Sequence, residues 1–339
     1  MKEERTGASI ADSLPYMIWG QAINQAVYIV ARLRIADLLE SGPKTAEVLA
    51  ERTGVDPVYL GRVLRALTGF DVFREDEDRR FHIGSMGERL TSSHPQSLRA
   101  MAEMNSSPFL WGAWGRMFDA VKNGAPAFDQ LHGESLFDYL ARSPEDAALF
   151  NEAMSSRSLP EGTKLLEEYD FGSATRVIDV GGGHGALLKT ILEAHPHLTG
   201  VLADLEVVLD GADIIRESAV ADRCELVVTD FFEEVPAGGD LYLLKEILHD
   251  WNDEQCLTIL RNCRKAMREG GRVVHIGAVL GPSNVPDMGK WTDLTMLTFL
   301  PGRERTEAEF EGLYQAAGFE MTMVLRIAGN WGIVEGTAT

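Results

Sequence analysis

The chain has 339 residues, 45% of them hydrophobic and 25% charged, which excludes a short disulfide scaffold and a disordered polymer and points to two folded domains. Fifty-two acidic against thirty-two basic residues leave a formal charge of −20, a field that repels phosphate backbones and anionic headgroups and argues against nucleic acid or a membrane as partner. Three cysteines, Cys224, Cys256 and Cys263, are too few to staple such a chain, no run of about 18 apolar residues offers a membrane span, and MKEERTGASIADSL lacks a secretory apolar core, so a soluble cytoplasmic protein is expected.

From Ser13 onward, Ile18, Ala22, Val27, Val30, Leu33, Ile35 and Leu38 fall at helical spacings until Gly42 and Pro43 interrupt. The stripe is wider than a surface helix needs, which predicts burial in a large core or a subunit interface, hence a dimerisation element. TAEVLAERTG and DPVYLGRVLRALTG predict two more helices, the second opening at Asp56-Pro57, and two extended runs meet at the acidic turn of Glu75 to Asp78. Helix, helix and hairpin describe a winged helix. That shape suggests a DNA-binding regulator, but its recognition segment carries only Arg62 and Arg65 and its wing tip is acidic.

After Pro108 the pattern stays helical, and Ser143-Pro144-Glu145-Asp146 predicts an N-cap, a first-turn proline and acids facing the helix dipole. A linker is expected from Leu159 to Gly162. Beyond Tyr169, short β-rich runs alternate with helices: ATRVIDVGG, HLTGVLADL, CELVVTDFF, DLYLLKEIL, GRVVHIGAVL and a terminal pair, FEMTMVLRIAG and NWGIVEGT. Such alternation implies an α/β fold with a parallel sheet wound on both sides.

The run Val177 to Gly185, VIDVGGGHG, is a buried strand entering a glycine turn that opens a helix. Gly181, Gly183 and Gly185 let the backbone turn sharply and leave room for a nucleotide-like ligand against bare amides. Gly181, Gly183 and Ala186 also fit the loose dinucleotide pattern, so the turn alone does not separate a nicotinamide cofactor from S-adenosylmethionine. Asp179, two residues before the first glycine, suits the ammonium of a methionine moiety and would repel a pyrophosphate. Asp204, 25 residues after Asp179 at the end of the second strand, is placed to accept ribose hydroxyls, and Asp230-Phe231 to hold and cover an adenine. Taken singly, Asp204 and Asp230 read equally well as loop caps. The fourth strand leads to His249, beyond the strand ends where ligands of open α/β sheets bind, and a neutral imidazole there can take a proton from a phenol. His184 and His275 read as structural.

These words resemble the plant-type small-molecule O-methyltransferases and their bacterial relatives in antibiotic and pigment pathways: HGESLFDYL, FNEAM, VIDVGGGHG, ADL, TDFF, LLKEILHDWNDEQC, DLTML and GRERTEAEF, in matching order along most of the chain. The resemblance implies a homodimer with an N-terminal, mostly helical winged-helix domain (1–160) for dimerisation and substrate capping. It also implies a Rossmann-like class I methyltransferase domain (161–339) holding S-adenosylmethionine. By the same resemblance Gly181 lies near the methionine portion, Asp204 takes the ribose, Asp230 and Phe231 the adenine, and Lys245 is a further cofactor contact. His249 matches the general base and Glu304 one of two acids that orient it. The other acid departs from the family: 28 residues after the base the plant enzymes carry glutamate, and this chain carries Gly277, with Asp250 and Asp293 as candidate replacements. Such a glycine implies either room for a bulkier polycyclic acceptor or drift from methyl transfer. Met154 and Met296 match acceptor-lining positions, where an adaptable thioether suits planar aromatics and core filling is the alternative reading. The expectation is O-methylation of an aromatic or polyketide-like metabolite. N-methylation and non-methylating chemistry (hydroxylation, decarboxylation, pericyclic rearrangement) are the alternatives, with a nicotinamide oxidoreductase further off. No metal is expected.

Overall fold

The computed structural model describes residues 14–327 and 331–339, and for residues 155 and 157–164 the helical backbone alone. The opening segment MKEERTGASIADS and residues 328–330 lie outside the described residues. The chain divides into two compact units, one running to Trp111 and taking in Ala148–Arg157, the other comprising Gly112–Ala147 and Ser158–Thr339.

In the first unit the long amphipathic stretch is broken into helices Leu14–Ile18, Gly20–Arg32 and Ile35–Glu40, the second break falling where Arg34 turns the chain at φ 51°. Val30, Ile35 and Leu39 are buried, whereas Tyr16, Ile18 and Trp19 are exposed. Helices Ala46–Thr53 and Pro57–Thr68 follow, the second capped by Asp56, which accepts from the amides of Val58 and Tyr59 at 2.9 and 3.0 Å. Strands β1 (Lys44–Thr45), β2 (Phe73–Glu75) and β3 (Arg80–Ile83) pair antiparallel in the order β1-β3-β2 over a core of Leu49, Leu64, Leu67, Phe73 and Phe81. Arg65 donates two 2.9 Å bonds to Glu75, so one of the two cations on the helix before the hairpin is spent inside the unit.

Two local expectations are corrected. Ser143 makes no side-chain cap; its carbonyl accepts from Ala147 at 2.9 Å, with Pro144 opening the helix. The linker expected from Leu159 to Gly162 is instead part of the helix Pro144–Glu168. Pro160 removes one intrahelical donor, but the Leu, Glu and Lys residues around it favour helix strongly enough to carry the chain through.

The second unit is built on the strands β4 (Arg176–Val180), β5 (Thr199–Asp204), β6 (Cys224–Val228), β7 (Leu241–Lys245), β8 (Arg272–Leu280), β9 (Arg305–Thr306), β10 (Phe319–Ile327) and β11 (Trp331–Ala338). Their order is β10-β11-β8-β7-β4-β5-β6, with β9 paired to β8. β4 to β9 run parallel, β11 runs against β8, and β10 pairs antiparallel with β11 and so returns to the direction of the others. The central strands are apolar on both faces, as a sheet covered on both sides requires. Ile178, Val180, Tyr242 and Leu244 pack in one cluster with helices Asp253–Ala266 and Glu307–Ala317, while Val177, Leu241 and Leu243 pack in the other with helix Ala186–Ala194. That helix sits so close that a Cβ on Gly200 would lie 2.9 Å from Leu192 and 3.0 Å from Leu188. The order reverses between β4 and β7, the point in an open α/β sheet where a crevice forms beyond the strand ends. Among the described residues no helix is long and apolar enough to cross a membrane.

Candidate active site

The turn after β4 places Gly181, Gly183 and Gly185 at φ 67°, 61° and 88°, a region L side chains rarely adopt. A Cβ on Gly181 would lie 2.6 Å from Ile247 and 3.4 Å from the Phe231 ring, and one on Gly185 would lie 2.7 Å from Ile215. Gly183 differs: nothing lies within 4 Å of that position, so its face is open. Its N–H donates to Asp204 Oδ2 at 2.8 Å, while Asp204 Oδ1 accepts from Leu205 at 2.7 Å. A carboxylate oxygen has two lone pairs, so Asp204 keeps capacity for hydroxyl donors. Burial pushes its pKa up against the opposing effect of these backbone bonds and His184.

Asp179 is only 2% exposed and folded under the turn, 2.6 Å from where a Gly182 Cβ would stand. Burial raises its pKa to about 7, with Lys245 opposing and Asp204 adding to the rise. Lys245, at the end of β7, sets its Nζ 5.0 Å over the Trp331 ring and 3.4 Å from Glu246 Oε2. Asp230 lies exposed two residues past β6 and caps its own loop through the amide of Phe232 at 2.9 Å. The Phe231 and Phe232 carbonyls are held by Asn262 at 2.9 and 3.0 Å, which fixes the aromatic pair beside the glycine turn. Asp179, Asp204, Phe231 and Lys245 thus gather at the ends of four neighbouring strands.

His249 sits on the 3₁₀ turn Leu248–Asp250 and is 7% exposed. Its Nδ1 lies 2.8 Å from Glu304 Oε1, and its Nε2 lies 3.3 Å from Asp250 Oδ1. Burial alone would lower the imidazole pKa, but the Glu304 and Asp250 charges, the Glu304 hydrogen bond and Glu246 outweigh it and raise it to about 9. Asp250 is pushed to about 7 by burial, with His249 opposing and the Glu246 and Glu304 charges adding. Glu304 is 2% exposed, its Oε2 has no hydrogen-bond partner among the described residues, and its amide donates to Asp293 Oδ1 at 2.9 Å. Of the two candidates for the missing acid, Asp250 therefore faces the imidazole, whereas Asp293 holds the loop that carries Glu304.

Sequence reasoning missed what fixes this geometry. Arg305, 1% exposed, donates to the carbonyls of Leu248 at 2.7 Å and Trp251 at 2.9 Å and to Asp253 at 2.7 Å, clamping the chain on both sides of His249. A Cβ on Gly302 would fall inside contact distance of the His249 carbonyl and the Asp250-Trp251 peptide, so only glycine lets the Glu304 loop approach so closely. Both residues lie in the GRERT word, but nothing in their spacing reveals carbonyl partners more than fifty residues away.

Met296 is buried on helix Gly289–Phe299, and Met154 is half-buried on helix Pro144–Glu168, in the stretch that belongs to the first unit. Space at Gly277 is not open: a Cβ there would meet the His275 ring at 2.8 and 2.9 Å. The expectation that this glycine makes room for a larger acceptor is corrected, because a neighbouring imidazole fills the volume.

The residues present fit S-adenosylmethionine: an open glycine face, a buried acid beneath it, a ribose-ready carboxylate on the next strand and aromatic rings flanking the turn. Residues 114–320 match the O-methyltransferase domain family and residues 17–93 the O-methyltransferase dimerisation domain. Phenazine O-methyltransferase PhzM of Lysobacter antibioticus is 40% identical over 336 residues, 98% of this chain and 98% of that protein. The 8-amino-8-demethylriboflavin N,N-dimethyltransferase of Streptomyces davaonensis is 36% identical, over 92% of this chain and 91% of that one. The solved structure of CalO1, a methyltransferase in calicheamicin biosynthesis in its SAH-bound form, superposes with a TM-score of 0.84 at 37% identity, covering 97% of this chain and 98% of that one. With the family matched over both parts of the chain, this protein belongs to the S-adenosylmethionine-dependent O-methyltransferases of secondary-metabolite biosynthesis.

Proposed function

We propose that the protein, as a homodimer, methylates a hydroxyl of a planar polycyclic aromatic metabolite of the phenazine kind, with His249 as general base. The observation that carries this reading is the buried His249–Glu304 pair at 2.8 Å, standing just beyond β7 next to the glycine turn. Bound S-adenosylmethionine supplies an electrophilic methyl group that needs no further activation. Asp179, Gly181, Gly183, Gly185, Asp204, Asp230, Phe231 and Lys245 are the residues that would hold it.

His249 Nε2 takes the hydroxyl proton, while Nδ1–H donates to Glu304 and the Glu304 charge steadies the imidazolium. A phenol titrates near pH 10, so an imidazole raised to about 9 accepts its proton at little cost, where an ordinary histidine near 6.5 would be a much weaker match. The base form is a minor fraction at neutral pH and grows toward pH 9. Support for an apolar planar acceptor comes from the 40% identical phenazine enzyme. It comes also from helix Gly289–Phe299, where Met296 lies near Phe299, whose ring meets Trp114 edge-on at 4.9 Å.

The test incubates the protein with S-adenosylmethionine and a panel of hydroxylated and aminated phenazines and naphthoates, following S-adenosylhomocysteine release and product mass. One methyl gained on oxygen is expected. Amine methylation would favour the second reading, which rests on the 36% identical N,N-dimethyltransferase. A product without added methyl would contradict both.

A further inference from the structure

We infer that Trp331 is a positioning residue for the methyl-donor site: it holds Lys245 over its indole, away from Asp179, and so leaves that carboxylate for the ammonium of the donor's amino-acid end. The inference rests on S-adenosylmethionine lying in the glycine turn.

Strand register puts all three side chains on one face of the sheet. Asp179 pairs with Leu243, so Lys245, two residues further along β7, stands diagonally next to it. Lys245 pairs with Ile276 on β8, Ile276 pairs with Ile333 on β11, and Trp331 lies two residues from Ile333, opposite Ala278. Leu243, Ile276, Ile333 and Trp331 pack in the cluster that faces helix Ala186–Ala194, the helix that the glycine turn opens. Asp179 and Lys245 are thus opposite charges at neighbouring strand ends, within a lysine's reach of each other.

Buried charges so placed ordinarily pair. These do not. Asp179 is 2% exposed, yet among the described residues no hydrogen bond or ion pair reaches its carboxylate. Lys245 Nζ instead lies 5.0 Å over the Trp331 ring and 3.4 Å from Glu246 Oε2. Backbone pairing fixes both tethers: Trp331 is held between Ile327 of β10 and Ala278 of β8, and the Glu246 N–H donates to the Ile276 carbonyl at 2.8 Å. The Lys245 side chain is only 12% exposed, and an aromatic face holds a cation most firmly where water is kept out. A lysine free to swing onto Asp179 would compete with any ligand ammonium from within the same molecule, at an effective concentration that a dissolved ligand rarely matches. Burial raises the Asp179 pKa to about 7, with Lys245 opposing only from a distance. The carboxylate therefore gains most from a cation that enters with the ligand.

The experiment measures binding of S-adenosylhomocysteine and of methylthioadenosine by calorimetry to the full-length wild type, Trp331→Phe and Trp331→Leu. The first ligand carries the amino-acid end; the second has the adenosine and the sulfur without it. Trp331→Leu should weaken S-adenosylhomocysteine by about ten-fold, the worth of one charge-assisted hydrogen bond, and leave methylthioadenosine within about two-fold. Trp331→Phe keeps a ring face and should retain most of the wild-type affinity for both. Trp331→Met, read in the same way, serves where the leucine variant folds badly. Equal weakening of the two ligands in Trp331→Leu and Trp331→Met overturns the inference, as does unchanged S-adenosylhomocysteine binding in either. Wild type that binds neither ligand would instead overturn the placement of the donor in the glycine turn.

Discussion

Glu304 Oε1 lies 2.8 Å from His249 Nδ1, and neither residue is more than 7% exposed. A carboxylate bound to the rear nitrogen of an imidazole fixes its tautomer and ring orientation and favours its charged form. Glu304→Gln keeps a hydrogen-bond acceptor and removes the charge. The wild-type kcat/KM should rise with pH through about 9, as His249 gives up its proton. In the variant that limb should move to lower pH and the plateau should fall by about 10–100-fold. Stability follows the same linkage: a folded-state pKa above the unfolded 6.5 contributes stability that is fully present below 6.5 and lost as pH rises through about 9. Urea unfolding should therefore show Glu304→Gln more destabilised at pH 6 than at pH 10.

Gly302 is the point where the loop carrying Glu304 touches the backbone of His249. A methyl group there has nowhere to go, and its neighbours are main-chain atoms that cannot swing aside. Gly302→Ala should cost about 1–3 kcal/mol and should lower kcat more than the affinity for S-adenosylhomocysteine, measured by calorimetry. Equal loss of both would place the damage elsewhere.

Arg305 binds the carbonyls on either side of His249 from a fully buried position. Arg305→Met leaves the Leu248 and Trp251 carbonyls only the weak Cys256 thiol as side-chain donor, and a loss of about 3 kcal/mol in denaturant unfolding is expected. Arg305→Lys should recover only part of it, since one ammonium cannot reproduce the planar fork.

Asp179 carries a carboxyl whose pKa burial has raised to about 7. The folded protein then binds the proton more tightly than the unfolded chain, so stability falls as pH rises from about 4 to 7. Asp179→Asn should make the cofactor-free protein more stable at pH 8, by on the order of a few kcal/mol, and should weaken S-adenosylmethionine binding. Thermal unfolding with and without the cofactor measures both at once.

The glycine turn was legible because three glycines after a buried apolar run have few other uses, and the parallel sheet because its strands are continuous Val, Ile and Leu segments. His249 stood out through its place after the fourth strand. Glu304 came only from family resemblance, since nothing local marks it as buried. Arg305 and Gly302 were hidden for a common reason: each meets main-chain atoms of another segment, and a charged or small residue in a loop looks the same in sequence whether it is solvated or fully enclosed. The helix through Pro160 misled in the opposite sense, because Pro and Gly close together signal a break that the neighbouring helix formers override. Gly277 looked like an opening for the acceptor until His275, two residues back on the same face of β8, proved to fill it.

The most direct check is to compare His249→Ala with wild type on a confirmed hydroxylated acceptor, measuring turnover and S-adenosylhomocysteine affinity on the same preparations. Proton removal by a positioned base is worth about 10²–10⁴-fold, so turnover should fall by that factor while the dissociation constant stays within about two-fold, a free-energy change well below 1 kcal/mol. Turnover preserved in that variant would contradict the assignment of the imidazole as the base.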